Sequence, residues 1–179
     1  MTDTEIKKDK KFDCSIVEFK NANFKLVSGS VLEDFKIAFK TFGSLNKRKS
    51  NAILICHALT GDQYVSGHNP ITERDGWWSK MVGPDKPIDT NKFFVICSNV
   101  LGGCSGSTGP KQKKDNKDII YGGSFPSITI KDMVGAQVKL IDALKIDKLF
   151  SVVGGSMGAM QALQWSTDFP NRIQTIVHI

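Results

Sequence analysis

The sequence predicts an α/β fold with a mostly parallel sheet that is preceded by an antiparallel hairpin. Three apolar runs carry this prediction: AILICHAL (52–59), KFFVICSNV (92–100) and KLFSVVGG (148–155). Strands that are apolar without interruption are typical of parallel sheets, because such sheets are covered on both faces. A helical pattern lies between the second and third runs, as a strand–helix–strand crossover requires.

The N-terminal part of the chain contributes the antiparallel elements. Residues 1–11 (MTDTEIKKDKK) are rich in lysine and predict a flexible basic tail. Residues 24–43 alternate apolar and polar side chains around a Ser-Gly turn, which predicts a hairpin. Because no repeat or low-complexity linker follows, residues 12–179 are interpreted as one domain.

Two helices are predicted in the C-terminal part. Thr129 can cap a helix whose third residue is Asp132, and six apolar residues then recur on one face: Ile130, Met133, Val134, Val138, Ile141 and Leu144. The segment QALQWSTDFPN continues a second helix, which ends near Pro170. The last apolar run, RIQTIVHI, predicts one more strand.

The composition is that of a globular domain. The chain has 179 residues, of which 40% are hydrophobic and 23% are charged. No apolar run approaches the roughly 18 residues that would span a bilayer, and no apolar segment follows the N-terminal lysines. We therefore expect a cytoplasmic protein that needs no membrane.

The cysteines and the net charge narrow the possible partners. Cys14, Cys56, Cys97 and Cys104 lack the C-x-x-C spacing of a zinc or redox site, so no metal is expected. The net charge of +6 comes largely from lysines in 7–11 and 111–118. These runs contain no aromatic residues for base stacking, so they predict solvated surface segments and no nucleic-acid partner.

Two long glycine-containing loops, 60–80 and 101–112, follow predicted parallel strands. Open α/β sheets bind their ligands beyond the carboxyl ends of the strands. Loops of this length in a compact domain are commonly functional. The sequence therefore predicts a binding site at this edge of the sheet.

Gly154, Ser156 and Gly158 form a G-x-S-x-G motif between a predicted strand and a predicted helix. In this context the motif predicts a nucleophile elbow, a tight turn that projects the serine hydroxyl clear of the backbone. The N–H of Met157 is then the first oxyanion donor, and we expect the second from Leu59, in the loop after an earlier strand. A turn that only packs closely, or that binds phosphate, is the alternative.

The sequence offers no clear general base for this serine. His57 ends a strand and is expected to shape the loop, His68 lies in a long loop, and His178 falls within a strand pattern. Only 23 residues follow Ser156, whereas the usual order of serine, acid and histidine spans more chain. Asp168 lies more than three helical turns from the serine. We therefore expect the triad aspartate and histidine to be absent from this sequence.

Five segments together resemble the homoserine O-acetyltransferase family of the α/β-hydrolase fold: HALTGD, GWW, GPDKPIDTNKFFVICSNVLGGCSGSTGP, FPSITIKDMV and VVGGSMGAMQALQW. The resemblance implies that Ser156 takes an acetyl group from acetyl-CoA and passes it to the hydroxyl of L-homoserine, in methionine biosynthesis. It implies no metal and, for the full-length enzymes, a homodimer.

The resemblance also implies a longer protein. Family members carry the triad aspartate and histidine, a substrate-binding arginine and a helical lid beyond the strand at which this sequence stops. Arg172 lies too close to the elbow helix to be assigned as that arginine. We therefore expect 12–179 to be the N-terminal part of a hydrolase domain, with an incomplete sheet and little or no turnover alone.

Three alternatives stay open. The first is a homoserine O-succinyltransferase, because the acyl donor is set by contacts that the sequence does not locate. The second is an ester hydrolase of the same fold. The third is a non-catalytic fragment, or a subunit that works only with a separately made C-terminal half.

Overall fold

The computed structural model describes residues 3–114 and 118–179, so Met1, Thr2 and the middle of the predicted 111–118 surface segment lie outside it. It contains two α-helices, two 3₁₀ helices (Gly122–Ser124 and Pro170–Arg172) and thirteen strands, several of them only two residues long. The strands are β1 Asp3–Asp9, β2 Cys14–Lys20, β3 Phe24–Lys25, β4 Val31–Leu32, β5 Phe35–Phe42, β6 Ala52–Cys56, β7 His68–Asn69, β8 Arg74–Asp75, β9 Val82–Gly83, β10 Ile88–Asp89, β11 Phe94–Ser98, β12 Leu149–Gly154 and β13 Ile173–His178. The helices are α1 Ile130–Ala143 and α2 Met157–Asp168.

Seven strands form the main sheet in the order β1-β2-β5-β11-β6-β12-β13. Strands β11, β6, β12 and β13 run parallel to one another, and β5, β2 and β1 extend the sheet with antiparallel pairings. The predicted α/β class, with a largely parallel sheet and antiparallel N-terminal strands, is confirmed.

The central strands are apolar throughout because both of their faces are covered. On one face, Leu54 and Val152 pack in a core that includes Leu140 of α1 and Trp165 of α2. On the other face, Ile53 and its neighbours pack against residues of the long segment between β6 and β11, which are Val65, Trp78, Met81 and Val82. The predicted loop 60–80 therefore also forms part of one covering layer.

The N-terminal prediction needs two corrections. Asp3–Asp9 form strand β1, paired along its whole length with β2, where a flexible tail was predicted. The side chains of β1 are almost all exposed, so its place in the sheet rests on backbone hydrogen bonds that hydropathy does not reveal. The predicted hairpin of 24–43 exists only as the short pair β3–β4, because the main partner of β5 is β2.

Helix α1 begins as predicted, with a capping box between Thr129 and Asp132. The Asp132 carboxylate, which is buried, accepts hydrogen bonds from the Thr129 N–H and hydroxyl at 2.8 and 2.7 Å. It also accepts one from the N–H of Val27 at 2.8 Å. The cap thus fixes the start of the helix to the β3–β4 segment. Among the helices of the described residues, none has the length and apolar character needed to cross a membrane.

We expect Asp132→Ala to lower the free energy of unfolding by about 2 kcal/mol, because it removes the helix cap and the acceptor for Val27 together. Urea denaturation checks this value. Asp142→Ala is the control, since it removes an ion pair with Arg172 whose aspartate side chain is 52% exposed. It should cost less than about 1 kcal/mol. Equal losses in the two variants would contradict this account of the cap.

Candidate functional site

The G-x-S-x-G motif forms the sharp turn between β12 and α2. Ser156 is the N-cap residue of α2, with φ 56° and ψ −123°, and it is exposed. Several other non-glycine residues of the described chain have a positive φ, but at Ser156 it is combined with a ψ outside the left-handed helical region, which is strained for a residue with a Cβ. Strained positions of this kind cluster at functional sites. The conformation is that of a nucleophile elbow, and the serine side chain lies on the surface of the molecule.

Close contacts between main-chain segments explain why the first and last positions of the motif are glycine. A Cβ on Gly154 would lie 2.1 Å from the carbonyl oxygen of Gly158, and one on Gly158 would lie 2.1 Å from that of Cys56. Both distances are far shorter than any real contact of a Cβ. Gly155 is different, because the nearest atom to its Cβ would be 3.9 Å away. The turn therefore requires glycine at 154 and 158.

The same contacts bring the loop after β6 to the start of α2. A Cβ on Gly158 would also lie 3.2 Å from the carbonyl oxygen of His57. The loop turns back at once, since the N–H of Gly61 donates to the carbonyl oxygen of Ala58 at 2.9 Å. Leu59, at the tip of this turn, is 77% exposed. The segment 57–61 therefore adjoins the elbow, as the sequence predicts.

Two backbone N–H groups are available at this junction. Neither the N–H of Leu59 nor that of Met157 donates a hydrogen bond to an acceptor within residues 3–114 and 118–179. The N–H of Met157 belongs to the first turn of α2, where the helix dipole favours negative charge. Both N–H groups are therefore free to donate to a further acceptor.

His57 holds the loop in place from within. Its ring is buried, and its Nε2 accepts a hydrogen bond from the N–H of Val100 at 3.2 Å. The proton therefore lies on Nδ1, which donates to the carbonyl oxygen of Ala58 at 2.7 Å. Burial lowers the pKa of His57. With both ring nitrogens in use, this histidine is a support for the loop and is not poised as a base.

None of the other candidate residues, all within the described part of the chain, contacts the serine hydroxyl through a hydrogen bond. His68 is in β7, and Asp168 forms an ion pair with Lys131 at the far end of α2. His178 lies beside Gly154 in the strand register. Among the described residues, however, no histidine or carboxylate hydrogen-bonds to the Ser156 hydroxyl. Arg172 is engaged by the Asp142 carboxylate at 2.6 Å and by two carbonyl oxygens, so it is committed to the fold.

A cavity of about 530 Å³ opens beside the loop. Thr60 and Gly61 line one side of it, and Asp62, Arg74 and Trp77 are among the other lining residues. Both long loops predicted to carry the site follow strands at this end of the sheet. Among the residues that the structure describes, no three His, Cys, Asp or Glu side chains are grouped so that they could hold a metal.

A set of buried polar side chains below the elbow is not predicted from the sequence. Gln137 of α1 and Gln161 of α2 are both buried, and Gln137 also bonds to Trp165. The sequence does place one glutamine on the apolar face of each helix, within one turn of residues that pack in the core. This pattern could have indicated a buried hydrogen-bonded pair. Such a glutamine is costly to bury unless it is hydrogen-bonded.

Comparisons with known proteins agree on the fold. The profile of the alpha/beta hydrolase fold matches residues 51–179. Over 152 residues the chain is 57% identical to a homoserine O-acetyltransferase of Acidiphilium cryptum, covering 84% of this chain and 40% of that protein. A second relative of the same name, from Nitrobacter hamburgensis, is 59% identical over 145 residues, which are 81% of this chain and 36% of that protein. The chain thus spans about two fifths of the length of these curated relatives.

Two solved structures superpose equally well. The homoserine O-acetyltransferase of Bacillus anthracis gives a TM-score of 0.80 at 30% identity, over 99% of this chain and 46% of that one. Esterase E22 gives a TM-score of 0.80 at 29% identity, over 99% and 47% of the two chains. The backbone alone therefore does not separate a transferase from an esterase.

We expect Gly154→Ala to destabilise the chain by about 3 kcal/mol, because the new Cβ meets main-chain atoms that can move only with the helix. Gly155→Ala adds the same methyl group one residue later, where space is available, and should change the free energy of unfolding little. Thermal or urea denaturation of the two variants checks the contrast. Equal stability of the two would show that the strand and helix are not in close contact.

We expect His57 to be neutral at pH 6.5, the ordinary pKa of histidine, because burial lowers its pKa. The proton should lie on Nδ1, since Nε2 accepts from Val100. Nitrogen-15 chemical shifts of the imidazole ring measure both properties. A charged ring at this pH, or a proton on Nε2, would contradict the assignment of His57 as a neutral support.

Proposed function

Because the chain belongs to the α/β-hydrolase fold family, we propose that it carries the nucleophilic part of a homoserine O-acetyltransferase, with Ser156 as the nucleophile. The observation that carries the proposal is the strained, exposed serine next to two unpaired backbone N–H groups. Identity of 57% to the acetyltransferase of Acidiphilium cryptum favours the transferase, whereas the solved acetyltransferase and esterase E22 are equally distant from the chain, at 30% and 29%. The methionine biosynthesis role follows from the name of these relatives.

The proposed reaction has two acyl transfers. The Ser156 Oγ attacks the thioester carbonyl carbon of acetyl-CoA, the C–S bond breaks, and the serine proton leaves with the CoA thiol. The hydroxyl oxygen of L-homoserine then attacks the acetyl-serine ester, and Ser156 regains a proton as O-acetyl-L-homoserine departs. Each tetrahedral intermediate places negative charge on the former carbonyl oxygen. The N–H groups of Leu59 and Met157 would bind that charge.

Proton transfer is the step that the described residues do not provide. Within residues 3–114 and 118–179 no histidine or carboxylate is hydrogen-bonded to the Ser156 hydroxyl. A serine without its base keeps only the fraction of the rate that comes from the oxyanion site and from binding. We propose that the 179-residue chain alone accepts an acetyl group slowly and does not turn over.

The same proposal covers the partners and location. Acetyl-CoA is a co-substrate that is released in each cycle, and the larger enzyme is proposed to be a homodimer. We propose a cytoplasmic location, with no nucleic-acid or membrane partner. The state of the cysteines supports this location, because Cys14, Cys56, Cys97 and Cys104 are all free.

An ester hydrolase is the second candidate. The specific observation in its favour is the equal TM-score of 0.80 to esterase E22. The two functions share the serine and the oxyanion site, and they differ in whether water or homoserine accepts the acyl group. A succinyl donor in place of acetyl is a further alternative, which the cavity beside the loop does not distinguish.

A chimera tests the proposed function directly. In it, this chain replaces the aligned part of the Acidiphilium cryptum relative. We expect formation of O-acetyl-L-homoserine from acetyl-CoA and L-homoserine, measured by mass spectrometry. Ser156→Ala should lower kcat at least about a thousandfold, because it removes the nucleophile. Ser166→Ala is the matched control on the same helix, because the native Ser166 hydroxyl donates only to the carbonyl oxygen of Leu163.

The other outcomes are equally clear. Acetate release that does not depend on homoserine would favour the hydrolase, and faster reaction with succinyl-CoA would favour a succinyl donor. Activity that survives Ser156→Ala would overturn the proposal. The isolated chain should accept no more than one acetyl group per molecule from acetyl-CoA. Repeated turnovers by the isolated chain would contradict the absence of a base beside Ser156.

A further inference from the structure

A buried hydrogen-bond network lies directly below the elbow. Gln137, Gln161 and Trp165 are each exposed by 1% or less. The Nε2 of Gln137 donates to the Oε1 of Gln161 at 2.7 Å, and the Nε1 of Trp165 donates to the Oε1 of Gln137 at 2.8 Å. The thiol of Cys56, at the end of β6, also faces the Oε1 of Gln137 at 3.8 Å.

Gln161 connects this network to the site. Its Nε2 donates to the carbonyl oxygens of His57 and Met157, both at 3.3 Å. The orientation of the Gln161 amide is determined by its partners, because its oxygen accepts from Gln137 and its nitrogen faces two carbonyl oxygens. Both of these carbonyl groups belong to the main chain of the site.

The two carbonyl groups that accept from Gln161 lie close in sequence to the two free N–H groups. His57 precedes Leu59 by two residues, and Met157 follows Ser156 directly. The Gln161 side chain therefore connects the loop that carries the Leu59 N–H to the turn that carries the Met157 N–H. The other contacts of the loop are different in kind, since the ring of His57 fixes it to Val100 and the N–H of Gly61 closes it on itself.

We propose that Gln161 is a positioning residue that sets the separation of the Leu59 and Met157 N–H groups. This inference rests on the proposed function, which assigns those two groups to the oxyanion. An oxyanion site loses much of its effect when a donor moves by a fraction of an ångström, because its advantage is that the donors are already oriented. The simpler reading is that the network only satisfies buried polar groups, and it predicts a loss of stability alone.

Three variants separate these readings in the full 179-residue chain. Gln161→Met keeps the length of the side chain and removes every hydrogen bond that it makes. Gln137→Met removes a comparable set of buried bonds, to Gln161, Trp165 and Cys56, and leaves the contact from Gln161 to the loop. Gln164→Met is the surface control on the same helix, where the native side chain bonds only to Thr167.

The first measurement is backbone nitrogen-15 relaxation. We expect the order parameter at Leu59 and Gly61 to fall from about 0.85 to below about 0.6 in Gln161→Met, and to be retained in Gln137→Met and Gln164→Met. Unchanged order in Gln161→Met, or an equal loss in Gln137→Met, would overturn the proposal. Gln161→Leu gives a second test if the methionine variant does not fold. Its apolar side chain has no group that can donate to the loop, so the same loss of order is expected.

The second measurement is the rate at which a fluorophosphonate modifies Ser156 at alkaline pH, where hydroxide replaces the missing base. We expect the rate to fall about tenfold in Gln161→Met and to stay unchanged in Gln164→Met. An unchanged rate in Gln161→Met would contradict the positioning role. If the unsubstituted chain reacts no faster than Ser156→Ala, the proposed function fails, and the relaxation measurement still decides the role of Gln161.

Discussion

The contact of three main-chain segments at Gly154, Gly158 and Cys56 is the constraint on which the site depends. Carbonyl oxygens occupy the positions that side chains would take at both glycines, so β12, α2 and β6 approach more closely than substituted residues permit. This approach leaves Ser156 no relaxed conformation between the strand and the helix, and its φ is 56°. The strain is supported by the central strands of the sheet, which are covered by apolar residues on both faces.

The same contact explains why two distant parts of the sequence share one site. The loop at 57–61 and the elbow at 154–158 meet because β6 and β12 are neighbours in register, with Gly154 beside Cys56. The side chains of His57 and Gln161 hydrogen-bond to the main chain around the loop, His57 to the N–H of Val100 and Gln161 to the carbonyl oxygen of His57. In the proposed site the chemistry comes from backbone groups, so the N–H of the exposed Leu59 would serve whatever the side chain at that position.

The local parts of this arrangement could be predicted from the sequence, and the long-range parts could not. The parallel strands, the Thr129 cap and the elbow each depend on a few consecutive residues whose pattern is specific. Strand β1 depends on backbone pairing with β2, and its exposed side chains give no periodic signal. The Gln137–Gln161–Trp165 network depends on how α1 and α2 pack against each other. A single glutamine in an apolar helical pattern indicates only that a hydrogen-bond partner must exist, and does not identify it.

In the proposed site the turn directs the serine oxygen toward the free N–H groups of two separate segments. A crystal structure of the chain with a phosphonyl group on Ser156 would reveal this geometry. We expect one phosphonyl oxygen within hydrogen-bond distance of the backbone nitrogens of both Leu59 and Met157, with a positive φ at Ser156. A phosphonyl oxygen that contacts neither nitrogen, or a serine in a relaxed backbone conformation, would contradict it.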